Sequence, residues 1–137
     1  MSEAVIETLR AGYAAFNRGD WDALFEIGPR DFELETTDRV TNPGTYRGRE
    51  NARRFLEDLF EPFEEVVAEP EQFLENGEFI LVLVRVRSRP SGSSGVVDNR
   101  IAHLWTVQDG ALVRMQIFAE RSEALEAAGI AEHDVAT

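Results

Sequence analysis

The chain has 137 residues, a formal net charge of −12 at pH 7, and neither cysteine nor lysine. These absences exclude disulfides, thiolate chemistry and Schiff-base formation on a side-chain amine. The acidic excess would repel phosphate backbones and anionic membranes, so we expect no nucleic-acid or membrane partner.

The length suits a single domain spanning residues 1–137, with an ordered core from about 3 to 130 and a tail at 131–137. No apolar run approaches the roughly 20 residues that a membrane helix needs. The N-terminus lacks a basic segment followed by an apolar one, which is the signature of a signal peptide. We therefore expect a cytoplasmic protein.

The first 60 residues predict three helices. Residues 3–17 carry apolar side chains at helical spacing, and a second, short helix lies between Asp20 and Pro29. The alternation over 31–37 indicates a half-exposed strand, and the turn-rich stretch 38–48 predicts a loop. The third helix is expected at about 49–60.

From residue 63 onward the pattern changes to strands. The first, at 64–74, is interrupted by Pro70, which favours an edge strand or a bulge. The second, at 78–89, alternates between two sets of side chains on opposite faces. Two further strands flank the tight-turn signal Asp109-Gly110, and a short helix is expected at 122–128. Helices followed by antiparallel strands predict an α+β fold, with the helices covering one face of the sheet.

Four stretches carry a family resemblance. They are Tyr13-Ala-Ala-Phe-Asn-Arg-Gly-Asp-Trp21, Tyr46-Arg-Gly-Arg-Glu50, His103-Leu-Trp-Thr-Val-Gln-Asp-Gly110 and Phe118-Ala-Glu-Arg-Ser-Glu-Ala-Leu-Glu-Ala-Ala-Gly129. In these the chain resembles the SnoaL-like polyketide cyclase group of the nuclear-transport-factor-2-like superfamily, which also includes ketosteroid isomerases. The resemblance implies a cone of the cystatin-like type, in which a curved antiparallel sheet wraps around three N-terminal helices and a short C-terminal helix follows.

The same resemblance implies a deep, mostly apolar pocket for a small-molecule ligand, no metal or organic cofactor, and a homodimer formed through the sheet. It implies either a cofactor-independent isomerase, cyclase or dehydratase acting on an apolar, polyketide-like or steroid-like substrate, or a non-catalytic ligand-binding or dimerisation module. These alternatives differ in whether two titratable groups converge in the pocket.

His103 is the first candidate for acid–base chemistry, because a neutral imidazole can exchange a proton near pH 7. A simple two-residue turn at Asp109-Gly110 would place Gln116 beside it, whereas a one-residue change would place Met115 and Ile117 there. Neither register puts an aspartate opposite His103, which departs from the cyclase pattern. The alternative is a histidine bonded in the core or at a dimer interface.

Two carboxylates are further catalytic candidates. Asp38 lies roughly where ketosteroid isomerases place a base, although the match could fall on Asn42. Glu120 occupies a position at which relatives often carry an aspartate. The alternatives are a solvated turn aspartate for the first and a surface ion pair with a neighbouring arginine for the second.

The candidate ligand contacts are mostly aromatic: Tyr13, Phe16, Trp21, Tyr46, Phe55, Trp105 and Phe118, together with Gln116 and Arg85. The Arg85 guanidinium could bind a carboxylate or enolate oxygen if its strand face lines the pocket, and would otherwise face solvent. With His133 in the tail, one histidine remains for a metal, so we expect no metal site.

Overall fold

The computed structural model describes residues 2–36 and 44–135. It contains four α-helices, six strands and a short 3₁₀ turn. The helices are α1 (Ser2–Asn17), α2 (Trp21–Phe25), α3 (Arg49–Phe60) and α4 (Arg121–Ala128), and the 3₁₀ turn is Glu132–Asp134. The strands are β1 (Glu33–Thr36), β2 (Gly44–Arg47), β3 (Phe63–Asn76), β4 (Phe79–Pro90), β5 (Val97–Gln108) and β6 (Ala111–Phe118). Within the described ranges, no helix has both the length and the apolar character required to cross a membrane.

The six strands form one curved sheet in the order β2-β1-β6-β5-β4-β3. This confirms the α+β cone, with two corrections. The sheet is not wholly antiparallel, because β1 runs parallel to β6. No tight turn links these two strands, so nothing in the chain between them enforces an antiparallel pairing. The predicted loop also contains β2, a four-residue edge strand paired with β1.

Strand β4 is apolar on both faces because helices cover both sides of the sheet. Ile80, Val82 and Val84 face α1, α2 and α3 in the larger core. Leu81 and Leu83 face the other way, into a smaller core with α4. The alternation predicted for residues 78–89 is therefore confirmed, and we call the two sides the inner and outer faces of the sheet.

The stretch from Tyr13 to Trp21 turns the chain and ties it to the sheet. The Asn17 side chain bonds both backbone groups of Ala68 in β3, each at 2.8 Å. Gly19 has a φ of +77°, which glycine adopts without steric cost. The Asp20 carboxylate then accepts a bond from the backbone N–H of Ala23 and caps α2. This motif therefore fixes α1 against the edge of the sheet.

Strand β3 lies at the edge of the sheet and is irregular after Pro70, as the sequence predicts. Proline has no N–H for the ladder. In the same region the Arg121 guanidinium donates to the carbonyls of Val84 at 3.0 Å and Ile101 at 3.1 Å, and to the Glu71 carboxylate at 2.7 Å. The first residue of α4 therefore joins three neighbouring strands.

Candidate functional site

A cavity of about 430 Å³ lies between the helices and the inner face of the sheet. Its size falls within the range of about 300–1,000 Å³ typical of small-molecule sites. The walls are mainly apolar and come from every layer of the fold, with examples in Leu9, Phe16, Phe32, Leu56, Met115 and Ile117. Asn99 and Arg100 line the cavity and are also exposed, so they mark its mouth at the start of β5.

Three polar side chains meet inside this apolar cavity. The helical periodicity of α1 turns Tyr13 toward the sheet, and the period of two along β5 places His103 and Trp105 on the inner face. The Tyr13 hydroxyl lies 2.7 Å from Nδ1 of His103, and the Trp105 indole N–H donates to the same hydroxyl over 3.3 Å. The Tyr13 and His103 rings stack with centroids 5.8 Å apart and planes 6° from parallel. We call these three residues the polar triad.

Burial shifts the titration of two members of the triad. Desolvation lowers the pKa of His103 from 6.5 to about 4, and it raises the pKa of Tyr13 despite the opposing hydrogen bond from Trp105. His103 retains some accessible surface, but that surface opens onto the apolar cavity and not onto bulk water. Both side chains are therefore neutral at pH 7.

The hairpin between β5 and β6 sets the side chains opposite the triad. Asp109 and Gly110 have φ values of +51° and +79°, as a primed turn of two residues requires. An irregularity between Thr106 and Val107 then shifts the register by one residue. His103 consequently faces Ile117, as the second of the two predicted registers has it.

Gln116 and Phe118 lie on the outer face of the sheet because of this shift. The Gln116 amide donates to the Glu35 carboxylate at 2.7 Å, and Phe118 packs in the core beneath α4. The prediction that Gln116 and Phe118 line the pocket is therefore wrong. Neither register brought an aspartate opposite His103, and the structure confirms that expectation.

Arg85 also points to the outer face, which corrects its expected place in the cavity. Its Nε donates to the Asp98 carboxylate at 3.0 Å, on the neighbouring strand β5. This ion pair raises the pKa of Arg85 and lowers the pKa of Asp98 through the hydrogen bond and the opposite charge. The guanidinium is therefore occupied on the opposite side of the sheet from the cavity.

Three of the expected aromatic contacts lie behind the cavity wall. Trp21 meets the ring of Phe16 edge-on at 5.6 Å, and Tyr46 stacks on Phe55 at 4.3 Å. Trp21, Tyr46 and Phe55 do not line the cavity, whereas Tyr13, Phe16 and Trp105 do. The rings of Trp21, Tyr46 and Phe55 therefore support the cavity wall from behind by packing.

The carboxylate candidates do not join the triad in the described part of the chain. Glu120 is exposed at the residue before α4 and does not line the cavity. Asp38, with its alternative Asn42, lies outside the described residues. Over residues 2–36 and 44–135, no Asp or Glu lines the cavity, and no group of His, Asp and Glu could hold a metal ion.

The bond between Tyr13 and His103 is the feature that sequence reasoning missed. Each residue was a candidate on its own, from helical spacing for Tyr13 and from strand alternation for His103. Ninety positions separate them. No local pattern encodes which helix residue meets which strand residue, so only the packing of α1 on β5 brings the two together.

Known proteins share this fold. The family model for the SnoaL-like domain matches residues 9–115. An NTF2-like protein of unknown function from Burkholderia pseudomallei is 22% identical, with a TM-score of 0.75 over 90% of this chain and 96% of that one. A putative SnoaL-like polyketide cyclase from Jannaschia is 23% identical, with a TM-score of 0.68 over 90% of both chains.

TerC, whose crystals were grown with polyporic acid, is 21% identical, with a TM-score of 0.75 over 91% of this chain and 98% of its own. At these identities the likeness to solved structures concerns the fold. The search of curated proteins found no match. Because the family model covers most of the chain, the chain belongs to the SnoaL-like domain family.

Proposed function

We propose that the protein binds a small, largely apolar molecule in the cavity and acts on it by cofactor-independent acid–base chemistry, such as isomerisation, cyclisation or dehydration. The observation that carries this proposal is one hydrogen-bonded Tyr13–His103 pair inside a cavity of about 430 Å³ whose walls are mainly apolar. Apolar walls supply affinity, and a few placed polar groups orient the ligand.

The apolar walls favour a ligand with one or more rings. Aromatic and aliphatic side chains surround the space, including Phe16, Phe32 and Leu56. Burying apolar ligand surface against such walls gains about 25 cal/mol per Å² before the costs of association. The co-crystallisation of TerC with polyporic acid is consistent with a small-molecule role for this fold.

His103 and Tyr13 are the proposed proton-handling pair. Their stacked rings hold the bond between Tyr13 Oη and His103 Nδ1 at 2.7 Å. A positioned imidazole contributes about 10²- to 10⁴-fold to a rate when it transfers a proton in the transition state. Asp38, in the segment outside the described residues, stays a candidate for the second proton-handling group.

A non-catalytic binding role is the second candidate, and a specific observation favours it. Within the described residues the cavity wall carries no carboxylate, so the triad has no negatively charged partner there. Chemistry that removes a proton from carbon needs a base, and a histidine whose pKa is about 4 is a weak one.

Two matched variants test the proposal. His133 lies exposed in the C-terminal segment, so His133→Asn is the control for His103→Asn. We expect purified protein to bind bicyclic aromatic ketones, with quenching of Trp105 fluorescence, and His103→Asn but not His133→Asn to weaken that binding. Turnover lost only in His103→Asn would support the enzyme. Binding without turnover across a broad panel would support the second candidate, and no binding would contradict both.

A further inference from the structure

We propose that His103 binds the ligand as a hydrogen-bond donor through Nε2, so the cavity takes a molecule whose inner end carries an acceptor such as a ketone or quinone carbonyl. This inference rests on the proposed function, in that the cavity is the ligand site. It follows from the direction of each hydrogen bond in the polar triad, taken one residue at a time.

The direction begins at Trp105. An indole nitrogen carries a hydrogen and no available lone pair, so it can only donate. Its Nε1 lies 3.3 Å from the Tyr13 hydroxyl oxygen. Tyr13 therefore accepts this bond, and its own hydroxyl proton points to another partner.

His103 Nδ1 is the remaining partner of the Tyr13 hydroxyl, at 2.7 Å. If Nδ1 carried a proton, both neighbours would donate to Tyr13. Its own proton would then have no acceptor among the described residues, in a side chain that is only 7% exposed. A buried donor without a partner is costly, so Tyr13 donates and Nδ1 accepts.

A neutral imidazole carries one hydrogen, so an accepting Nδ1 leaves that hydrogen on Nε2. The ring is neutral at pH 7 because burial lowers the pKa of His103 to about 4. The outcome is one tautomer, with Nε2 as a donor. This is opposite to a histidine poised as a base at Nε2, which would hold a free lone pair there.

Nε2 is accessible from the cavity. In the described part of the chain, three side-chain atoms are fully buried without a hydrogen-bond partner: Nε of Arg49, Oγ1 of Thr106 and Nε of Arg114. His103 Nε2 also makes no hydrogen bond with a described residue, but it does not belong to this fully buried group. It therefore has accessible surface that a ligand can reach. Since His103 lines the cavity, this N–H is a polar group available for orienting a ligand at its inner end.

The chemistry of the ligand follows from this donor. A carbonyl oxygen satisfies Nε2–H, whereas a hydrocarbon leaves it unpaired and an ammonium group would place a second donor against it. Full transfer of the Nε2 proton would draw the Tyr13 proton onto Nδ1 and leave a buried tyrosinate. Burial raises the pKa of Tyr13 and opposes that step. In the bound complex His103 therefore polarises the carbonyl through its hydrogen bond and keeps its proton. Transfer of that proton requires the negative charge that develops on the carbonyl oxygen during the proposed reaction.

Nitrogen-15 NMR of uniformly labelled protein at pH 7 tests the tautomer directly. We expect the His103 ring to show a protonated Nε2 and an unprotonated Nδ1. In Tyr13→Phe the donor to Nδ1 is lost, so the two tautomers of His103 should become mixed. A protonated Nδ1 in the unaltered protein would overturn the inference.

A matched pair of ligands tests the consequence. α-Tetralone and tetralin share a bicyclic skeleton and differ in the carbonyl group. We expect the ketone to bind about 3- to 10-fold more tightly, which is the range of one net hydrogen bond. In His103→Phe, with folding checked by thermal melting, this ratio should fall to within about twofold.

The outcomes separate the two proposals. Equal affinities for the ketone and the hydrocarbon in the unaltered protein would overturn the donor role and leave the cavity as the ligand site. Binding of neither probe would contradict the proposed function and the ligand part of this inference together, and the NMR result would still decide the tautomer.

Discussion

At the scale of single residues, His103 links the cavity to the stability of the protein. Its pKa is 6.5 in a solvated chain and about 4 in the fold, because burial penalises the charged imidazolium. Between these two pH values the unfolded chain binds a proton that the folded chain does not. The preference of the fold for a neutral His103 therefore contributes fully to the free energy of unfolding above pH 6.5. This contribution is lost as the pH falls toward 4.

We expect the free energy of unfolding to fall more steeply between pH 6.5 and 4 in the unaltered protein than in His103→Asn. The difference should approach about 3 kcal/mol, since each pKa unit corresponds to about 1.4 kcal/mol. Urea unfolding at several pH values measures it, and the many carboxylates cancel when the two curves are subtracted. His133→Asn, altered in an exposed histidine, should follow the unaltered protein. Parallel curves for His103→Asn and the unaltered protein would contradict the assigned burial.

The residue scale also shows what the sequence could supply. Strand alternation was enough to place His103 and Trp105 on one face, and helical spacing was enough to turn Tyr13 inward. The identity of the partner bonded to His103 was not accessible, because it depends on the exact position of α1 over β5. Arg85 was equally undetermined, since alternation defines two faces without saying which one lines the cavity.

At the scale of elements, Asn17 joins α1 to the edge strand β3. Its amide satisfies both the N–H and the C=O of Ala68, whose side chain is buried at 6% exposure. A helix that carries Tyr13 must be held at a fixed height over the sheet for the triad to form. The two bonds of Asn17 lie one helical turn from Tyr13 and fix that height.

We expect Asn17→Ala to lower the free energy of unfolding by about 2 kcal/mol, because two backbone groups of Ala68 lose their partner. The matched control is Asn51→Ala, which removes a single exposed bond from a side-chain amide to the Arg47 carbonyl. The control should cost no more than about 0.5 kcal/mol. Chemical denaturation of both variants measures the two losses in free energy of unfolding. Equal losses would show that the Asn17 contact stabilises the protein no more than an exposed side-chain bond does.

The elements also differ in how far sequence reasoning could reach. The edge position of β3 followed from Pro70, and the hairpin followed from Asp109-Gly110. The register of that hairpin could not be predicted, because no glycine or proline marks the irregularity after Thr106 in the sequence. A one-residue shift moved Gln116 and Phe118 from the expected cavity to the outer face.

At the scale of the whole molecule, the homodimer implied by the family resemblance stays a prediction. The part of the outer face that α4 leaves uncovered carries ion pairs such as Arg85–Asp98 and Arg87–Glu69. We expect a two-chain mass in sedimentation equilibrium, with the sheet as the contact between the chains. A single-chain mass at all concentrations would contradict the dimer.

The whole fold was more predictable than its details. The motifs around Tyr13, His103 and Phe118 supported the cone, and the family match over residues 9–115 includes the first two. The parallel contact of β1 with β6 was not predicted, because it pairs residues 81 positions apart that no single tight turn connects. The choice between catalysis and binding depends on groups that converge in three dimensions, so the sequence left it open.

The most direct test of the central claim is a crystal structure of the protein soaked with a bromine-substituted α-tetralone. The proposed site predicts an anomalous bromine peak inside the cavity, with the carbonyl oxygen about 2.7–3.2 Å from Nε2 of His103. A cavity closed by its own side chains, or a probe bound only on the surface, would contradict the proposed ligand site.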